Sequence, residues 1–127
     1  TQNTIAFGTE VFDVGGDFAT PNFTAPVTGK YYLSTKTTIA DIDHDATFYS
    51  GNRIITSNRD YSLNMSEQNM FEAQPEMWPF RCSVVAEMDA SDTAHVTYNS
   101  FGPGASQEDV YDDGNAEFTS FSGALIV

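Results

Sequence analysis

Positive charge is scarce in this chain. Lys30, Lys36, Arg53, Arg59 and Arg81 are its only Lys and Arg residues against 18 Asp and Glu, for a formal net charge of −13. Affinity for nucleic-acid phosphates comes mainly from Lys and Arg, so no nucleic-acid partner is expected, and an anionic membrane surface is disfavoured for the same reason. The acidity reads first as a well-solvated exterior or an adaptation to salty surroundings, with a divalent-cation role as the sharper alternative. Cysteine is nearly absent: Cys82 stands alone, which excludes an intrachain disulfide, a thiolate metal cluster and a redox pair. No stretch approaches the roughly 18 apolar residues of a membrane span, so no membrane insertion is expected. Thr1 opens no signal-peptide pattern, and the sequence reads as a mature, trimmed or excised chain.

Helical periodicity is weak too. Its best stretch is Ser66–Ala73, where Asn69 stands in place of the Glu or Gln of a capping box and Pro75 and Pro79 stop any extension, which points to a loop or a single turn. Neither an internal repeat nor a low-complexity linker interrupts the chain. Gly-x-Ser-x-Gly, His-Glu-x-x-His and phosphate-loop patterns are all missing, His44 and His95 lie far apart in sequence, and a lone thiol is usually a small apolar filler. The expectation is a protein that is not an enzyme.

What is present is aromatic and β-forming. Ten Phe, six Tyr and one Trp fall within 127 residues, about one domain's length and ample for one continuous core over residues 1–127. Short runs of Val, Ile, Thr, Tyr and Phe alternate with Gly, Pro, Asn, Asp and Ser clusters, the rhythm of an all-β sandwich or barrel. Strands are predicted at Thr4–Phe12, Phe23–Thr24, Gly29–Ile39, Thr47–Tyr49, Arg53–Thr56, Phe80–Met88, Ala94–Asn99 and Glu117–Val127. Ser50-Gly51-Asn52 and Ala90-Ser91-Asp92 are among the predicted turns. Tyr31, Leu33, Thr35, Thr37 and Ile39 share one parity while Tyr32, Ser34, Lys36 and Thr38 take the other, so one face packs and the other is wet. The run around Val84 is apolar on both parities and predicts burial on both faces. Residues 57–79 form the longest predicted irregular stretch, and its Met65, Met70, Phe71, Met77 and Trp78 are candidates for packing on a partner.

Some segments resemble a known family. Ile5-Ala-Phe-Gly-Thr-Glu-Val-Phe-Asp-Val-Gly-Gly-Asp-Phe18, followed by Phe23-Thr24-Ala25-Pro26-Val-Thr-Gly29-Lys-Tyr31-Tyr32-Leu33-Ser34, resembles the most recognisable stretch of C1q-like domains, in which Phe-Thr-Ala-Pro-x-x-Gly-x-Tyr-x-Phe-Ser follows a strand and a Gly-rich turn. Leu33 replaces the usual Phe, an apolar exchange that loses some volume. Ser91-Asp92-Thr93 resembles the family's Gly-Asp turn with Ser in place of Gly, and Phe121-Ser122-Gly123-Ala124-Leu125 resembles its closing motif. Read physically, all these are core and turn residues: Pro26 suits a strand end, Gly29 a turn, and Gly123 beside Phe121 a close backbone approach or an aromatic ring over a bare Cα.

The resemblance implies a two-sheet antiparallel jelly-roll sandwich of the C1q/TNF-like kind that forms homotrimers around an aromatic-rich sheet face. It also implies a further strand upstream of Thr1, paired with the last one, so the first strand here reads as truncated. The opening segment is more similar to phage and bacterial versions than to vertebrate ones. The expected role is a trimeric head of a phage or viral fibre or surface structure, at the virion surface or outside cells, that recognises a cell-surface glycan or protein. The alternative is a decoration, cement or fibre-capping protein that packs on other virion proteins without a soluble ligand.

No cofactor is expected, and calcium is the one metal considered. Asp41, Asp43 and Asp45 have a D-x-D-x-D spacing that can aim carboxylates at Ca²⁺, but Ala46 and Asn52 occupy the positions where an EF-hand needs Gly and Glu, which leaves a solvated hairpin tip as the plainer reading. The acidic stretch with Glu108, Asp109, Asp112 and Asp113 is the second candidate, since family members sometimes hold Ca²⁺ near the trimer apex. Asn22-Phe-Thr and Asn64-Met-Ser match the glycosylation acceptor pattern, which matters only for a chain secreted by a eukaryote.

Overall fold

The computed structural model describes residues 2–7, 16–42, 49–67, 77–102, 109–111 and 118–126, and all their regular structure is strand. In chain order these are β1 (Gln2–Thr4), β2 (Phe18–Ala19), β3 (Asn22–Thr24), β4 (Gly29–Ala40), β5 (Tyr49–Thr56), β6 (Asp60–Glu67), β7 (Met77–Met88), β8 (Thr93–Phe101), β9 (Asp109–Tyr111) and β10 (Ser120–Leu125). They form two antiparallel sheets. The first runs β2-β3-β8-β5-β6, with β1 also on β8; the second runs β10-β4-β7, with β9 also on β4.

Alternation in the long strands explains how the sheets face each other. In β4, Tyr31, Leu33, Thr35, Thr37 and Ile39 are all buried, as their shared parity predicts. From the other sheet Phe23, Ile54, Ala94, Val96 and Tyr98 meet them, and Phe80, Cys82, Ala86 and Met88 of β7 complete the same core. Burial at this scale is the main favourable term in folding. The layers are tied at one side by Asn64 Nδ2 donating to the Arg81 carbonyl at 2.8 Å and by Trp78 Nε1 donating to Ser66 Oγ at 3.3 Å. Inside, Asn52 Nδ2 donates to the Phe80 carbonyl at 3.1 Å. On the opposite side Phe121 packs edge-on against Phe18 with centroids 5.3 Å apart and meets Phe7 at 5.8 Å.

Four elements differ from the sequence expectation. β5 runs straight through Ser50-Gly51-Asn52, where a turn was predicted, because Gly51 lies against the backbone of β6 and needs an absent side chain rather than a bend. The predicted irregular stretch 57–79 contains β6 and the start of β7; β6 forms a sheet edge, where Asp, Ser and Asn are tolerated and mask the strand signal. β7 begins at Met77, ahead of the predicted start at Phe80, and takes in Pro79, which pairs with Thr38 in the outer strand of its sheet, where a missing N–H does little harm. At the other end β1 covers Gln2–Thr4 where a strand was predicted over Thr4–Phe12, of which 8–12 lie outside the described residues; Ile5 N still donates to the Val96 carbonyl at 2.9 Å, and Phe7 N then turns to Thr20 Oγ1 at 2.8 Å.

The turn before β8 settles the Ser-for-Gly exchange. Ser91 adopts φ 77°, the left-handed region that glycine enters at little steric cost. Asp92 holds the turn: its Oδ2 accepts from Asp89 N and from Asn58 Nδ2, each at 2.8 Å. Ser91 N also donates to the Ala25 carbonyl at 2.8 Å. Ser91→Gly removes the side-chain strain and is expected to raise stability by about 0.5–1 kcal/mol, read as a higher midpoint in thermal melting.

Candidate functional site

The outward face of the β10-β4-β7 sheet carries the densest chemistry among the described residues. Paired residues on neighbouring antiparallel strands point to the same side, so the register gives this face row by row. Lys30 lies opposite Glu87; Ala124, Tyr32 and Val85 form the next row; Ser122, Ser34 and Ser83 form the third; Ser120, Lys36 and Arg81 form the fourth. Beyond them Thr38 lies between Tyr111 and Pro79. Thr38 is buried although it points outward, because residues 118–119 cross it: its Oγ1 donates to the Phe118 carbonyl at 2.6 Å and its N donates to Thr119 Oγ1 at 3.2 Å. The rings of Tyr111 and Phe118 meet edge-on there, 4.9 Å apart.

The relief follows from side-chain size. Tyr32 and Val85 stand up at one end, 45% and 53% exposed, and the crossing segment with Tyr111 and Phe118 stands up at the other. Between them the serine row leaves an open hollow of about 620 Å³, lined by Ser34, Lys36, Arg81, Ser83, Ser120 and Ser122. Three of the chain's five basic residues lie in these four rows with one acid, Glu87, while the chain as a whole carries −13. The face is a cationic island on an acidic molecule.

The residues on which the C1q-like resemblance rests divide between interior and this surface. Phe23, Ala25 and Tyr31 are buried, Thr24 is half-buried, and Pro26 and Gly29 make the turn into β4. Tyr31 caps that turn, its hydroxyl donating to the Val27 carbonyl at 2.5 Å. Gly123 faces the Phe23 ring: a Cβ there would stand 3.2 Å from Phe23 Cε2 and 3.0 Å from Leu33 Cδ2. Phe121 is half-buried against Phe7 and Phe18. The core-and-turn reading fails for Tyr32, Ser34, Ser122 and Leu125: the first three point outward by their register, and Leu125 at the end of β10 is 49% exposed. Burial on both faces around Val84 fails as well, since no described layer covers Val85.

Of the proposed partner-packing set, the described residues Met65, Met77 and Trp78 do not share one patch. Met65 pairs with Gly51 on the outside of the first sheet, Met77 pairs with Ala40 on the outside of the second, and Trp78 turns inward against the core. Met70 and Phe71 lie outside the described residues, as do Asp43, Asp45, Asp112 and Asp113. Of the calcium candidates Asp41 and Asp109 are described, Asp41 exposed and at φ 59° and Asp109 in β9 opposite Ala40, while Glu108 also lies outside the described residues. Among the described residues no three His, Cys, Asp or Glu side chains converge.

Cys82 and His95 are on opposite sides of a sheet layer. Cys82 pairs with Thr35 and faces the interior, whereas His95 pairs with Ile55 on the outside of the first sheet. Sheets stack about 10 Å apart, so no thiolate–imidazole pair forms between them. Burial also pushes the Cys82 thiol up to about 12, which leaves little of the nucleophilic thiolate at neutral pH.

Sequence reasoning assigned no binding role to Lys36, Arg81, Ser83 or Ser120. The parity of β4 already placed Lys36 on the wet face, but the alignment of Arg81 beside it depends on the β4–β7 register. Compared with known proteins, the chain matches no protein-family model and no curated protein.

Proposed function

We propose that the chain is a C1q/TNF-like jelly-roll head that assembles as a homotrimer and serves as the non-enzymatic recognition module of a phage or viral fibre at the virion surface. The observation that carries this reading is the strand order. The sheets run β2-β3-β8-β5-β6, with β1 also on β8, and β10-β4-β7, with β9 also on β4, so the chain changes sheet between β3 and β4, between β4 and β5, between β6 and β7, between β7 and β8 and between β8 and β9. Repeated crossing between facing antiparallel sheets is compatible with the winding of a jelly roll and supports this reading. Among the described residues β10 pairs only with β4, which leaves open the edge where the family's upstream strand lies.

Assembly is supported by what remains uncovered. Tyr32, Val85 and Ile126, each 45–53% exposed, gather at one end of the β10-β4-β7 face, and Ile126 N donates to the Lys30 carbonyl there at 2.9 Å. An apolar cluster of this kind, spanning the Tyr32 row and the Lys30 row, suits a seam between identical neighbours. The hollow starts one row further along the same face.

Sedimentation of the parent chain is expected to give three times the 13.9 kDa chain mass, and a Tyr32→Asp, Val85→Asp double variant is expected to give single chains. A parent that sediments as a monomer overturns the trimer. Binding of the labelled trimer to host cells tests recognition, and its complete absence overturns the recognition role.

A further inference from the structure

We propose that the hollow on the β10-β4-β7 face binds a sugar that carries a carboxylate, a ligand class that rests on the recognition-head reading. Lys36 and Arg81 are directly opposed across β4 and β7. Like charges in that position repel and destabilise a sheet. In a chain with 18 acids and five bases, the acids greatly outnumber the bases that could stand here. Yet among the described residues no carboxylate pairs with either. An anion between the two relieves the repulsion, and a guanidinium offers a planar fork matched to a carboxylate.

The rest of the hollow selects for hydroxyls. Ser34, Ser83, Ser122 and Ser120 line it, and each hydroxyl both donates and accepts, as sugar hydroxyls do. Three strands at about 4.8 Å spacing and two rows along them make a floor roughly 10 Å by 7 Å, the footprint of one or two sugar rings. A volume of about 620 Å³ lies within the range of small-ligand sites, about 300–1,000 Å³. A net charge of −13 opposes multiply charged ligands such as nucleotides or nucleic acid, whereas one carboxylate on a polyhydroxylated ring matches two cations set among four hydroxyls.

The test is NMR titration of the isotope-labelled full chain with 3′-sialyllactose, lactose and sodium sulfate. Sialyllactose is expected to shift amides of β4, β7 and β10 while lactose leaves them unmoved. Lys36→Ser with Arg81→Ser is expected to weaken sialyllactose binding at least tenfold while melting no lower than the parent, since a repulsion is removed. Arg81→Lys, which keeps the charge and loses the fork, is expected to fall between parent and double variant. Equal response to lactose, equal affinity for sulfate, undiminished binding by the double variant, or no response to sialyllactose each overturns the inference. If the chain still binds host cells in any of those cases, the recognition-head reading stands and only the ligand assignment falls.

Discussion

Gly51→Ala is expected to destabilise the protein by about 3 kcal/mol or more, among the largest effects of a single methyl group. Gly51 is buried in β5, opposite Met65 of β6. A Cβ at this position would overlap the backbone carbonyl of Asn64 and stand 2.9 Å from Met65 Cα. Both obstacles are backbone, so no side-chain rotation makes room, and β6 must move away from β5 instead. A register shift next to this point, between Asn52 and Arg53, already concentrates the irregularity of the β5–β6 pairing here. The expected signature is therefore local as well as global: hydrogen exchange should accelerate across Asp60–Glu67 before the rest of the molecule, and the thermal midpoint should fall. Unchanged protection of β6 in the variant would show that the two strands are not packed as described.

Phe80→Ala is expected to cost about 3–5 kcal/mol. Phe80 is fully buried at the centre of the sandwich, and its ring lies 6.2 Å from that of Tyr98 in the facing sheet. Its carbonyl also accepts the Asn52 amide at 3.1 Å, so collapse of the backbone into the vacated space would disturb a buried polar contact. Partial relaxation leaves a cavity, and lost contacts and lost burial act in the same direction. Against the total of about 5–15 kcal/mol typical of a domain, this is a large fraction. Urea unfolding should show a lower midpoint with an unchanged slope; an unchanged midpoint would mean that Phe80 does not fill the interior.

The two substitutions also mark what could be read from the residues. Phe80 follows from pattern, because its parity in a β-rich run places it inside, and β4 was read by the same logic almost to its ends. Gly51 does not: a glycine between Ser and Asn is locally a turn signal, and only the approach of β6 shows that it is a contact point. β6 itself was missed because its composition is polar and its place is at an edge, where the hydrophobic period is weakest. The cationic hollow shows the same division. One strand's wet face was legible in Ser34 and Lys36, but Arg81, Ser83, Ser120 and Ser122 join them through register between strands distant in sequence, and sequence spacing does not encode that register.

The buried sulfur has a consequence for where the molecule can work. Buried between the layers at 8% exposure and held protonated by its surroundings, Cys82 presents little thiolate to glutathione or to dissolved oxygen. Thiol exchange between copies through this side chain is thereby disfavoured in reducing and in aerated surroundings alike.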